Sequence, residues 1–167
     1  MRSFAFGLVV LPILALSQTM LAMDFQWAGG RPNPVLVVVL AWNLVRRDAS
    51  GLLWAFVGGL VLDALSGGPM GSILLALLMV SLIGNLIGGR FLGPRWLLAL
   101  VYVVVGSILY HLIYLLVLTF SGWPMNLVES LTTITLPSAV LNLVLMIPVY
   151  PAMRWLAARI APAGVSN

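Results

Sequence analysis

Six long apolar runs, each bounded by arginine, glycine or proline, take up nearly the whole of this chain. Of its 167 residues 62% are hydrophobic and 7% charged, where an ordinary soluble domain carries about 25% charged residues. The runs are continuous rather than alternating, which argues against a transmembrane barrel. Inside a bilayer the backbone must satisfy its own hydrogen bonds, so the runs read as helices. The expected fold is an all-α integral membrane protein, with residues 1–167 forming a single transmembrane domain of six helices.

The spans read Phe4–Met23, Pro34–Val45, Gly51–Leu65, Met70–Gly89, Trp96–Ser121 and Leu131–Ala158. The second and third fall short of the ~20 residues that cross a bilayer. Arg46-Arg47-Asp48 lies between them, and burying those charges in lipid is costly. Two short crossings in a locally thinned bilayer are therefore expected rather than a re-entrant hairpin. The first run mimics a signal peptide, with Arg2 ahead of it and a small-x-small pair at Ala15 and Ser17. Its expected fate is retention as the first helix. Pro12 and Pro137 are expected to kink their spans. Pro148 and Pro151 are expected to end the last one, leaving Met153–Ile160 as an interfacial segment.

The formal charge of +4 comes from arginine alone. The arginines are scattered singly or in one pair, so topology explains them better than nucleic acid. With the N-terminus in the cytoplasm, Arg2, Arg46, Arg47, Arg90, Arg95, Arg154 and Arg159 fall inside and only Arg31 outside. That bias predicts an N-in, C-in topology. Trp27 and Trp123 then fall near the outer boundary, and Trp42, Trp54, Trp96 and Trp155 near the inner one, as interfacial belts would place them.

Asp63 is the one carboxylate set within an apolar run. At a bilayer centre an Asp costs roughly 2.5–3.5 kcal/mol on insertion scales, so it is expected to be sheltered and partnered. Counted from the cytoplasmic ends at 1.5 Å per residue, Asp63 lies roughly 18 Å up, Gln18 about 21 Å and His111 about 22 Å. The three form a possible intramembrane polar layer, with an Asp63–His111 bond if their helices touch. A structural pair is expected over a proton relay, since one Asp and one His are a thin kit for proton transport. Gly51, Ala55 and Gly59 repeat at four-residue spacing below Asp63, and Gly84 and Gly88 pair on the next span. Such faces let helices approach closely. The first stripe is expected to pack internally, and the second to serve internal packing or a partner helix.

Enzyme signatures are missing: there is no P-loop, no HExxH, no dinucleotide turn and no supported Ser-His-Asp set. Cysteine is absent and His111 is the lone histidine, so neither a catalytic residue, a cofactor nor a metal is expected. Glu129 is expected to favour the start of span six, with Ser130 as its cap.

Gly59-Leu60-Val61-Leu62-Asp63, followed by Gly68-Pro69-Met70-Gly71, resembles the signature of the bacterial rod shape-determining MreD family. That pattern reads approximately G-L-x-x-D, a Gly/Ser turn, then P-L-G; Met70 stands here where Leu is usual. Length, layout, the arginine-bearing turn before the motif and the Pro-Asn-Pro after span one match as well. The resemblance marks Gly59, Asp63, Pro69 and Gly71 as motif residues. It implies a non-catalytic scaffold or regulator of the rod complex (the elongasome) in the bacterial cytoplasmic membrane, acting in lateral peptidoglycan synthesis. Its implied partners are a single-span MreC-like protein, MreB filaments, the RodA glycosyltransferase and a class B penicillin-binding protein. The family is also similar in fold to the substrate-binding subunits of energy-coupling-factor transporters. A vitamin-binding transporter subunit is thus the rival function, although Ala5, Ala15 and Ala22 do not make the Ala-xxx-Ala spacing such subunits use.

Overall fold

The computed structural model describes residues 2–24, 28–46, 48–88, 94–123 and 126–160, with side chains from residue 7 to 18 in the first helix and to residue 86 in the fourth. Helices α1 (Arg2–Asp24), α2 (Pro34–Val45), α3 (Ser50–Ser66), α4 (Ser72–Gly88) and α5 (Arg95–Phe120) precede a long α6 (Leu127–Ile160). No strand forms among the described residues. Among the described residues, α5 and α6 are long and apolar enough to cross a membrane; α2, α3, α4 and the Gly7–Gln18 part of α1 are shorter apolar stretches.

α2 is the core of the bundle. Every residue from Val35 to Leu44 is buried, and α2 touches each of the other five helices. Its sequence is apolar all round, the pattern of a helix enclosed on every side. Five valines lower its intrinsic helix propensity. Pro34 opens the first turn, and the Asn33 carboxamide accepts the Leu36 N–H at 2.9 Å. Around α2, α1 packs on α3, α3 on α4, α4 on α5 and α5 on α6.

Two of the expected belt tryptophans belong to this core instead. Trp42 and Trp54 are 0% and 1% exposed and stack with ring centroids 4.2 Å apart. The Trp42 Nε1–H donates to Ser50 Oγ at 3.0 Å. Their helix-end positions suit a belt, but α2 is enclosed and its rings have no lipid to meet. Trp96, Trp123 and Trp155 are exposed. Trp27, Arg47 and Arg90, and the side chain of Arg2, lie outside the described residues.

α6 departs from expectation at both ends. It begins at Leu127, and its cap is Asn126, which accepts the Glu129 N–H at 3.3 Å; Ser130 lies inside the helix. Pro148 and Pro151 do not end it, and helix continues to Ile160. Both rings sit on its exposed face, so the carbonyls left without an amide partner belong to the exposed Val144 and Ile147 and not to the packed core. Ahead of Pro137 the helix widens into a π-type turn over Leu131–Thr135. Proline has no amide hydrogen to give the Thr133 carbonyl. That carbonyl faces Gly29 of the α1–α2 connection, where a Cβ would stand only 2.6 Å away.

Candidate functional site

The first turn of any helix carries four amide hydrogens with no partner inside the helix. At the start of α4, Asp63 supplies the acceptors from the neighbouring helix. Its Oδ2 accepts the N–H of Gly71 at 3.0 Å and of Leu74 at 2.9 Å; its Oδ1 accepts that of Ile73 at 2.9 Å. The Ser72 hydroxyl, 3.4 Å from Oδ1, also donates to the Pro69 carbonyl at 2.7 Å. Asp63 is 3% exposed. Three amide donors and the positive end of the α4 dipole offset what its burial costs.

The connecting turn is built to deliver this geometry. Gly67 and Gly71 adopt φ of 67° and 92°, left-handed backbone that favours glycine. Gly59 lies one turn below Asp63, and a Cβ there would meet the Leu74 Cα at 2.7 Å. The missing side chain lets the two backbones close until the carboxylate reaches the amides. Gly59, Asp63, Pro69 and Gly71 are thus parts of one corner.

A second polar assembly ties α2 to α5 and α6. The Asn33 N–H donates to Asn142 Oδ1 at 2.8 Å, and Asn142 Nδ2 donates to Ser107 Oγ at 3.0 Å. The Arg31 N–H donates to Ser138 Oγ at 3.0 Å. Gln18 Oε1 accepts the Val35 N–H at 3.3 Å, and His111 Nδ1–H donates to the Ser107 carbonyl at 2.8 Å. Gln18 and His111 line one cavity of about 270 Å³ with Arg31, Tyr110, Tyr114 and Ser138; Asp63 is not among its lining residues. The Asp63 bonds described above all run to the start of α4. Asn142 and Ser107 are the links that sequence reasoning missed. A lone carboxamide in an apolar run is the signal that could have found Asn142.

The small residues face inward. A Cβ on Gly51 would collide with the Asn43 carboxamide of α2, and one on Gly84 with the Tyr102 hydroxyl of α5. Ala55 is fully buried. Gly88 closes α4, beyond the described side chains.

A family profile described as rod shape-determining protein MreD matches residues 2–160. The chain belongs to the MreD family. Its biological setting is therefore rod shape determination, and MreD is a family of shape-determining membrane proteins. No curated protein and no solved structure matches the chain. The MreD-like pattern read from the sequence gains a physical meaning here: it spells a carboxylate that caps the next helix, with the glycine that permits the approach.

Proposed function

We infer that this chain is a non-catalytic, multi-pass scaffold of the rod complex in the bacterial cytoplasmic membrane, holding a single-span MreC-like partner. Through that partner, or directly, it meets MreB filaments, RodA and a class B penicillin-binding protein. The observation that carries this reading is where four polar side chains of the bundle go, three of them buried and Gln18 half-buried. Asp63, Gln18, Asn33 and Asn142 are bonded to backbone or across helices, an arrangement that fixes helix positions and supplies no reacting group. The seven arginines of one end against Arg31 at the other support an N-in, C-in orientation across six spans. In this cysteine-free chain, a thiol at Ser121→Cys would then label from outside whole cells and one at Ala158→Cys only after lysis; the reverse pattern would refute the orientation.

The scaffold reading predicts stable co-purification with the MreC-like protein from native membrane and no tightly bound vitamin. Stoichiometric vitamin with no such partner would overturn it. The cavity beside Gln18 and His111 is the feature that favours the rival, an energy-coupling-factor-like substrate-binding subunit. Its volume of about 270 Å³ lies at the lower edge of the ~300–1,000 Å³ of small-molecule sites, so the bound-vitamin measurement, not its size, separates the two readings.

A further inference from the structure

α5 and α6 leave a groove along their seam. At the arginine-bearing end it encloses about 450 Å³, lined by Trp96, Ala99, Ile147, Tyr150 and Arg154 among others. A second hollow of about 350 Å³ continues from it: the two share Leu100, and the second extends to Val105 and Leu143. From Trp96 to Val105 helix α5 rises about 14 Å, close to half of a ~30 Å hydrocarbon core. Over that length the described lining is apolar but for the polar tips of Trp96, Tyr150 and Arg154, with Arg154 exposed at the mouth. Trp96 stands at the same mouth, 60% exposed, with Arg95 exposed beside it.

We propose that this groove binds one anionic phospholipid, an acyl chain lying along α5 and the phosphate held by Arg154. The dimensions are those of a single leaflet. A cation at one end matches an acidic headgroup, and an exposed Trp at that level is the usual headgroup neighbour. A partner's transmembrane helix fits less well. Helix pairs close on small residues, and the one small residue here, Ala99, is 1% exposed, while bulky Trp96 and Ile147 form the rim. Scaffold and transporter alike could carry such a lipid, so the proposal does not depend on the reading above.

The test is native mass spectrometry of the full chain released from nanodiscs of phosphatidylglycerol mixed with phosphatidylcholine. The wild type should keep one phosphatidylglycerol at collision energies that strip phosphatidylcholine. Arg154→Gln should cut that retention at least fivefold, and Arg154→Lys should restore most of it. Arg159→Gln removes the same charge from the same end, outside the groove, and should leave retention unchanged. Ile147→Trp, which fills the groove, should lower retention of both lipids. Equal retention of the two lipids by the wild type, or Arg159→Gln acting as strongly as Arg154→Gln, would overturn the proposal. So would a partner helix seated in the groove of the purified complex with no lipid retained.

Discussion

The Asp63 carboxylate of α3 accepts the backbone N–H of Ile73, in the first turn of α4, at 2.9 Å. Helix caps usually come from the residue just before the helix. Here the cap is ten residues back along the chain, and it joins two helices as well as ending one. Removing it should therefore loosen the α3–α4 corner as a unit. Asp63→Leu leaves the Gly71, Ile73 and Leu74 amides without their acceptor, and each buried unpaired donor costs about 1–3 kcal/mol. Unfolding in detergent should show a loss of about 3 kcal/mol or more. Asp63→Asn keeps one acceptor oxygen and should lose about half as much. Wild-type stability in both variants would show that the corner does not depend on this carboxylate.

Gly59→Ala tests the close approach that makes the cap possible. In an open helix position the change from Gly to Ala stabilises by roughly 0.5–1 kcal/mol. At Gly59 the added Cβ stands 2.7 Å from the Leu74 Cα, a backbone atom that cannot turn aside. The sign should reverse, with a loss of about 1–3 kcal/mol from the forced separation of α3 and α4. A melting temperature at or above that of the wild type would contradict the packing described here.

Much of this architecture can be read from the sequence, and what cannot has identifiable causes. The bounds of α2, Pro34–Val45, coincide with expectation because Pro32-Asn33-Pro34 and Arg46 punctuate the run on both sides. The cost of burying Asp63 is equally plain from its neighbours. Its acceptor role is not, because the amides it serves belong to a helix start that lies beside it only after the Gly67–Gly71 turn folds back. Trp42 and Trp54 show a different limit. Belt and core residues share the same distance from a helix end, and only the enclosure of α2 by five helices separates them. Asn126 is legible in the sequence: Asn-x-x-Glu at residues 126–129 is a recognisable start signal, and it moves the beginning of α6 from Leu131 to Leu127.

Asn142 should behave as a shared link rather than as an independent bond. It accepts from the Asn33 amide and donates to the Ser107 hydroxyl, and all three residues are buried. Ser107→Ala removes one bond and should cost about 1 kcal/mol. Asn142→Leu leaves both partners unpaired and should cost about 2–4 kcal/mol. In the double variant the Ser107 hydroxyl is no longer left stranded, so the losses should fall short of additivity by about 0.5–3 kcal/mol. Additive losses in a double-mutant cycle would mean that the two side chains do not communicate.

Asp48 gives the fold a pH dependence at its arginine-bearing end. It lies in the turn between α2 and α3, where its carboxylate accepts the Ser50 N–H at 3.0 Å and the Ser50 hydroxyl and pairs with Arg46 at 3.0 Å. Burial works against its charge, but the Ser50 hydroxyl, the Ser50 amide and Arg46 outweigh that and hold the carboxyl below its usual 3.8. A carboxyl whose value is lowered by folding stabilises the fold fully above its unfolded value and loses that contribution as pH falls through the folded one. Asp48→Asn abolishes this titration and leaves every other acid in place. The wild type should therefore melt higher than Asp48→Asn at neutral pH, and the gap should close as pH falls below the usual 3.8. The side chain is 49% exposed, so solvent screening keeps the gap small, and added salt should narrow it further. A gap that widens on acidification would mean that the protonated form of Asp48, not the carboxylate, is the one this turn holds.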